Sequence, residues 1–225
     1  MRKIDKKCPL STVYQTWESN LTGDHPTYSS QGKFYKDIVT QLLHNQDGLC
    51  AFTERRLCDE KCYDKIHWKE GRYKPKKPVF EGDLDHFNPL RKKQEGWAWD
   101  NFLVAFVYTN MRIKGAKEVD DILKPNHPDY NEFEVLAYNP TTNRFTPNPK
   151  LTAKKQVRVQ IMLGVLGINS GPTIRLRKEY LTDKFKLLEV TDNVNEVTIN
   201  QFPTAYEMTR ILKESNTEGS ILDSL

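Results

Sequence analysis

The sequence lacks the long apolar segments and the cysteine pattern that mark several classes of protein. Its 225 residues contain no apolar run approaching the roughly 18 residues of a membrane span, and the opening MRKIDKKCPL has no apolar signal-peptide core. The cysteines are Cys8, Cys50, Cys58 and Cys62. Their uneven spacing does not indicate a disulfide framework. We therefore expect a soluble protein of the cytoplasm with reduced thiols, built on one core, and no contact with a membrane.

The sequence also has no nucleotide-binding loop, and its charge is unevenly distributed. No G-x-x-x-x-G-K-[ST] motif occurs, so any nucleoside triphosphate is expected to be bound by a partner. Residues 189–225 have two bases against seven acids, whereas residues 1–188 have 32 bases against 23 acids. A basic body suits a phosphate-rich substrate, although many soluble domains are mildly basic. We interpret 1–188 as the folded domain and 189–225 as an acidic C-terminal tail.

The stretch 83–114, DLDHFNPLRKKQEGWAWDNFLVAFVYTNMRIK, has the strongest functional signal. Asp85 and His86 stand together near its start, Asn101 precedes an apolar run, and Asn110 follows that run. The pattern predicts a strand, a long loop, a second strand and a helix. In such an arrangement the polar side chains at the ends of the elements face one another.

These polar residues suit metal-assisted hydrolysis of a phosphodiester. Asp85 and Asn110 offer hard oxygen ligands of the kind that bind one Mg²⁺ or Mn²⁺ ion. His86 titrates near neutral pH and can act as the general base that deprotonates water. Asn101 is expected to bond to the backbone or to the His86 ring and so fix the imidazole. An isolated Asp-His pair is weak evidence; the combined spacing is far more specific.

Basic side chains near this stretch are candidate contacts to nucleic acid. Arg112 and Lys114 fall on the predicted helix, and Lys74, Lys76 and Lys77 lie in a basic segment with interleaved aromatic residues just before the first strand. The alternative is that these lysines and arginines only face water on an exposed loop and an exposed helix.

The surrounding segments are mostly helical in pattern. Residues 9–47 read as helical and end at Gly48, and residues 133–145 read as two strands joined by a turn. Residues 151–188 read as a helical hairpin, and a short helix is expected near 206–212 of the tail. Basic residues of the helical hairpin that could face a substrate, a partner or water are Arg158, Arg175, Arg177 and Lys178.

The Asp-His, Asn and Asn-x-x-x-Lys-Gly set resembles the HNH, or ββα-metal, nuclease motif. Many HNH relatives also hold a structural zinc with two Cys-x-x-Cys pairs, and the matching positions here are Cys50, Thr53, Phe106 and Thr109. Because three of these four thiolates are absent, we expect no zinc with its usual ligands. The spacing of Cys58, Cys62 and His67 is loose and lacks an evident fourth ligand.

The resemblance extends over most of residues 1–185. The segments MRKI, QDGLCAFTERR, LDHF, WDNF, DDILKP and LGIN occur in this order. Together they resemble the PtuB nuclease family, found beside ATPases in bacterial anti-phage defence of the Septu type and in some retrons. The resemblance implies nucleic-acid cleavage, with phage DNA favoured and RNA or tRNA possible. It also implies a bacterial cytoplasmic location and an SMC/ABC-type ATPase partner.

The expected architecture is a helix-rich α+β domain with an embedded ββα-metal unit at about 79–118, without the four-cysteine zinc knuckle. N-terminal helices and the C-terminal helical hairpin should pack around that unit. Two other functions remain open from the residues. The chain could bind nucleic acid without cleaving it, or it could be a scaffolding subunit of an ATPase complex. Asp85, His86 and Asn110 together favour the nuclease, because binding alone needs no general base.

Overall fold

A computed structural model describes residues 1–190 and 197–222, and the side chains up to residue 215. Helices make up 44% of the structure and strands 11%, which confirms the helix-rich α+β class. Residues 191–196 and 223–225 of the predicted tail lie outside the described residues. They include the acidic residues Asp192, Glu196 and Asp223. Within the described ranges, no helix combines the length and apolar character needed to cross a bilayer.

The regular elements are short, apart from the C-terminal helices. The helices are α1 Thr12–Ser19, α2 Tyr35–Asn45, α3 Glu132–Val135, α4 Ala153–Val165, α5 Gly171–Val190 and α6 Pro203–Leu222. The strands are β1 Trp68–Lys69, β2 Arg72–Tyr73, β3 Gly82–His86, β4 Phe102–Phe106, β5 Leu136–Asn139 and β6 Arg144–Pro147. The strands form three separate antiparallel hairpins, β1 with β2, β3 with β4, and β5 with β6.

Helix α2 lies in the centre of the core, and its Ile38, Val39 and Leu42 are fully buried. It ends at Asn45, and Gly48 closes its C-terminus as predicted, with an N–H that donates to the carbonyl of Leu43 over 2.8 Å. Two residues of this cap are left-handed, Asp47 at φ 52° and Gly48 at φ 68°.

The prediction of continuous helix over 9–47 is wrong in its middle, because residues 20–34 leave the helical path between α1 and α2. Gly23 adopts φ 68°, and Pro26 follows it; both interrupt a helix. The intervening segment instead folds back over the loop that joins β3 to β4, where the backbone N–H of His25 donates to the carbonyl of Gln94 over 2.7 Å.

The β3–β4 hairpin confirms the predicted order of strand, long loop and strand. Its register pairs Asp85 with Leu103 and His86 with Phe102. The free edge of β4 is covered by the amide of Gln46, which accepts from the Val104 N–H over 2.9 Å and donates to the Val104 carbonyl over 2.8 Å. This edge is therefore closed to further strand pairing at its centre.

A short π-helix, Thr109–Lys114, follows β4 and returns along β3. The turn between α4 and α5 packs behind it. At Gly167, with φ 63°, a Cβ would stand 2.7 Å from Cδ1 of Ile113, so only glycine lets the turn approach so closely. The predicted helical hairpin is thereby confirmed as α4 and α5, and it supports the helix that carries Asn110.

The interpretation of 189–225 as a tail outside the folded domain needs correction. Phe202, Ala205 and Met208 of the predicted tail are buried in the common core. The Thr204 N–H donates to a carboxylate oxygen of Glu54 over 2.9 Å, and the Phe202 N–H donates to the Glu54 carbonyl over 3.1 Å. The apolar residues of this segment outweigh its acidic composition, because they complete a surface that the domain would otherwise expose.

The basic residues of the helical hairpin are not one exposed face. Arg158 forms an ion pair with Asp120, with 2.7 Å between Nη2 and Oδ1. Arg177 is fully buried, so the expectation that it could face a substrate or partner is wrong. Its guanidinium instead ties the β5–β6 hairpin to the α4–α5 turn.

Candidate active site

Asp85 and His86 end strand β3 and are both only 5% exposed. Their backbones are fixed by pairing with β4, and the Phe87 N–H immediately after them donates to the carbonyl of Asn101 over 2.7 Å. The strand therefore holds a carboxylate residue and an imidazole residue at consecutive positions on a rigid backbone, where a long loop begins.

The His86 ring is held on three sides. The ring centroid of Tyr28 lies 4.6 Å away in an edge-on arrangement, and that of Phe102 lies 4.8 Å away. Nε2 is 3.0 Å from the carbonyl oxygen of Gly96. Because a carbonyl only accepts, Nε2 is the nitrogen that carries the proton, and Nδ1 keeps its lone pair.

The protonation state of His86 is the one that a general base needs. Burial lowers the pKa of His86 to about 4, against the hydrogen bond to Gly96, and the charges of Lys92 and Lys114 act in the same direction as burial. The ring is consequently neutral at pH 7 and able to take a proton.

The Asp85 carboxylate is only half satisfied. Oδ1 accepts a hydrogen bond from Nζ of Lys114 over 3.0 Å. Oδ2 is buried and has no hydrogen-bond partner in the described part of the chain. Burial raises the pKa of Asp85 to about 6 in spite of the Lys114 charge. A buried carboxylate oxygen without a partner is costly, which makes Oδ2 the atom of this region most in need of a cation or a proton donor.

The position of Lys114 differs from the one predicted, an exposed contact to nucleic acid. It is 1% exposed, and its Nζ also donates to the carbonyl of His86 over 2.9 Å. The sequence placed it on a surface helix, but the short π-helix turns its side chain inward against β3. In this arrangement Lys114 neutralises Asp85 and is not available to a phosphate.

Of the two partners predicted for Asn101, the backbone and the His86 ring, the structure shows the backbone. Its Nδ2 donates to the carbonyl of Asn88 over 2.9 Å, and its Oδ1 accepts from the Asn88 N–H over 2.8 Å. This two-way bond closes the base of the loop between β3 and β4. Asn101 thus acts on His86 through the loop that presents Gly96, and not through the ring itself.

Asn110 lies half-buried near the start of the π-helix, four residues before Lys114. This separation is about one helical turn, so Asn110 lies on the same side of the π-helix as Lys114, whose Nζ bonds to Asp85. Asp85 and Asn110 would supply two oxygen donors to a hard cation, and such ions commonly keep water in their remaining positions. No group of three or more His, Cys, Asp or Glu side chains arranged to hold a metal is found in 1–190 or 197–222.

The remaining predicted contacts are exposed. Arg112 stands on the outer side of the π-helix, and Lys74, Lys76 and Lys77 lie together just before β3. Lys74 has a long ion pair of 3.4 Å with Glu70. The aromatic residues of the same segment pack inward: Tyr73 is buried, and its ring centroid lies 5.6 Å from that of Trp68. Lys74 and Lys76 are therefore exposed, Nζ of Lys77 lies 4.7 Å from the Tyr35 ring centroid, and Tyr73 is not free to stack on a ligand.

Two site residues were missed in the sequence. Tyr28 belongs to the segment predicted as helix, so no pattern linked it to His86. Gly96 lies at a close contact, because a Cβ there would stand 2.8 Å from the Lys92 carbonyl oxygen and 3.1 Å from Cβ of Tyr28. The only hint in the sequence was a glycine in the middle of a loop beside two tryptophans.

The turn at residues 50–55 is held against β4 by a thiol and by ring contacts. The Cys50 sulfur accepts from the backbone N–H of Phe106 over 3.3 Å and from that of Thr53 over 3.5 Å. Phe52 is fully buried, and the Arg55 guanidinium lies 4.1 Å from the Phe106 ring centroid. Apolar packing and one thiol thus hold this turn against β4.

Comparison with known proteins adds no identification. No protein-family model matches the chain, and no curated protein matches it.

Proposed function

We propose that the protein is a metal-dependent endonuclease that hydrolyses phosphodiester bonds through the β3–β4 hairpin and the following helix. The observation that carries the proposal is the pair at the end of β3. A buried carboxylate oxygen of Asp85 without a partner adjoins a neutral imidazole, His86, whose Nδ1 is free to accept a proton. Packing alone requires neither feature, and water activation beside a cation requires both.

Each residue has a distinct part in the proposed reaction. His86 Nδ1 takes the proton of the attacking water, while Nε2 remains bonded to the Gly96 carbonyl and so keeps the ring oriented. Asp85 Oδ2 and the Asn110 amide oxygen would hold one Mg²⁺ or Mn²⁺ ion. That ion would supply charge stabilisation to the phosphate and to the leaving oxygen. Asn101 holds the loop closed and acts as a positioning residue.

The test is a cleavage assay on the full-length protein with plasmid DNA, phage DNA and total RNA. We expect cleavage with Mg²⁺ or Mn²⁺ and none with EDTA, and loss of cleavage in Asp85→Asn. Asp129→Asn is a matched control, because Asp129 is an exposed carboxylate, with its side chain 92% exposed. Metal-independent cleavage, or full activity of Asp85→Asn, would refute the proposal.

One observation favours a second candidate, a hairpin that binds nucleic acid or a partner without cleaving. Lys114 already supplies a positive charge to Asp85, so the pair could serve only to join β3 to the π-helix. The unpartnered Oδ2 counts against this account, since a purely structural ion pair would satisfy both oxygens. Binding without cleavage on every substrate and metal would establish the second candidate.

The proposed biological setting rests on the resemblance to PtuB-like proteins and is the effector subunit of an ATPase–nuclease complex in anti-phage defence. The structure offers one supporting feature, the apolar side chains of Val157 and Ile161 on α4, each 59% exposed and one helical turn apart. Co-expression with a neighbouring ATPase gene, followed by size-exclusion chromatography and cleavage assays with and without nucleotide, tests this setting. A chain that elutes alone and cleaves equally fast without the ATPase would contradict it.

A further inference from the structure

We propose that Lys92, supported by the ring of Tyr28, binds a backbone phosphate of the nucleic acid beside His86. The inference rests on the proposed function and assigns a substrate contact that the sequence did not indicate. The class of ligand is a phosphodiester of DNA or RNA, recognised by its charge and not by its bases.

The backbone beneath Lys92 is unusually well fixed for an exposed loop. Lys92 ends the 3₁₀ turn Pro89–Lys92. Its neighbour Arg91 donates to Glu95 over 2.8 Å and to Asp100 over 2.7 Å, which ties both halves of the loop together. The Asn88–Asn101 bonds close the base of the same loop. A long flexible side chain is thus presented from a rigid platform.

The Tyr28 ring connects Lys92 to the general base. Nζ of Lys92 lies 5.0 Å from the Tyr28 ring centroid, and the His86 ring centroid lies 4.6 Å from the same point. Tyr28 is itself held in place by its segment: the Trp97 N–H donates to Nδ1 of His25 over 3.2 Å, which fixes the chain three residues before Tyr28. The cation therefore lies on a supported aromatic face next to the catalytic ring.

Within the part of the chain that the structure describes, no carboxylate pairs with Lys92. Lys114 is buried against Asp85, and Arg91 is paired with two carboxylates, whereas Lys92 is exposed and forms no ion pair with any residue in 1–190 or 197–222. A cation without an ion pair, beside the base that activates the attacking water, is placed where the substrate brings its negative charge.

Lys93 provides a matched control, because it is the next residue, is exposed, and carries the same charge without a contact to Tyr28. Loss of either lysine changes the net charge equally, so a long-range electrostatic effect would be the same for both. A direct phosphate contact would distinguish them. Lys92→Arg keeps the charge and is expected to retain function.

The experiment measures binding and cleavage separately on the full chain. Binding of fluorescein-labelled DNA and RNA oligonucleotides is measured in the His86→Gln background as a function of salt, beginning at low ionic strength. Lys92→Ala should weaken binding about tenfold and reduce the slope of log K against log salt by about 1. Lys93→Ala should leave the slope unchanged. In the active protein Lys92→Ala should lower kcat/KM, and Lys92→Arg should restore it.

The role of Tyr28 is tested by a double-mutant cycle. Tyr28→Phe should behave as the parent, because the ring and not the hydroxyl supports Lys92. Tyr28→Ala should reproduce part of the loss in Lys92→Ala, and the two changes should be less than additive. Additive effects would remove Tyr28 from the proposal.

The outcomes separate this inference from the proposed function. If the parent cleaves and binds but Lys92→Ala and Lys93→Ala have equal effects, the inference is wrong and the nuclease proposal stands. If the parent neither binds nor cleaves any nucleic acid, both are wrong. If it binds without cleaving and Lys92→Ala alone reduces the salt slope, the phosphate contact is supported and the nuclease proposal is not.

Discussion

Two buried cations hold two regions of this molecule in different ways. In the β3–β4 region, Lys114 faces the carboxylate of Asp85 and leaves one of its oxygens without a partner. In the C-terminal region, the Arg177 guanidinium forms no ion pair with the residues that the structure describes, and its Nε has no hydrogen-bond partner among them. It donates to the carbonyls of Asn143 and Ile168 over 2.9 and 2.7 Å.

The difference separates the region for which we propose chemistry from a region whose contacts join distant elements. The Arg177 guanidinium packs between aromatic rings, with its centre 4.8 Å from the ring centroid of Phe145 and 5.5 Å from that of Phe202. Burial lowers the pKa of Arg177 to about 10, so it stays charged at neutral pH. Backbone carbonyls and rings form a fixed staple between elements, whereas an ionisable carboxylate and a neutral imidazole can exchange protons or bind a cation.

The largest expected effect is on the general base. His86→Gln should reduce cleavage by roughly 10²–10⁴-fold, because glutamine can donate to the Gly96 carbonyl but cannot accept the water proton. Its thermal midpoint should remain close to that of the parent. His127→Gln, a partly exposed histidine, serves as the control. Activity within a few-fold of the parent would remove His86 from the mechanism.

Arg177→Met should lower stability and leave activity unchanged, which is the opposite of the result expected for His86→Gln. Methionine fills part of the space but leaves the carbonyls of Asn143 and Ile168 without donors. We therefore expect a loss of about 2–5 kcal/mol in the free energy of unfolding. Urea denaturation measures this loss. Activity per folded molecule should be unchanged; a selective loss of cleavage at full stability would show that the two regions are coupled.

Gly96→Ala should have a smaller effect, confined to the site. The new methyl group would meet the Lys92 carbonyl, so the loop must shift and the acceptor for His86 Nε2 moves with it. Changes to groups that orient a catalytic residue typically cost about 10–100-fold in activity. Gly164→Ala on α4 is the control, because a Cβ there meets nothing within 4 Å. Equal activity of the two variants would show that Gly96 does not orient His86.

The smallest expected effect is a pH dependence of stability in metal-free protein. Burial lowers the pKa of His86 to about 4, so between pH 4 and 6.5 the unfolded chain binds more protons at this residue. His86 should therefore make unfolding less favourable as pH rises through this range. Burial raises the pKa of Asp85 to about 6, and its contribution has the opposite sign: stability is present at low pH and lost as pH rises towards 6.

The two contributions can be separated with EDTA present. As the pH rises from 4 to 6.5, the urea midpoint of Asp85→Asn should increase relative to that of the double variant Asp85→Asn/His86→Gln. Arg177 should contribute nothing in this range, because it remains charged throughout. An equal pH profile for the two variants would show that His86 is not held neutral by burial.

Local sequence patterns determined the elements of the site. The apolar run of β4, the Asp-His pair before a long loop and the turn residues of β5–β6 each specify their own conformation through neighbouring residues. The order of strand, loop, strand and helix over 82–114 followed from these patterns. For Asn101 the sequence left two partners open, the backbone and the His86 ring, and the structure shows the backbone.

Only the tertiary structure decided which side chains meet. Lys114 turned inward because a buried carboxylate attracts it more than water does, Arg177 was buried by aromatic rings distant in sequence, and Phe202 returned the predicted tail to the core. Tyr28 reached His86 because Gly23 and Pro26 broke a helix whose apolar spacing had predicted continuity. Periodicity reports which face of an element is apolar, but contacts between distant segments depend on the energy of the whole packed core.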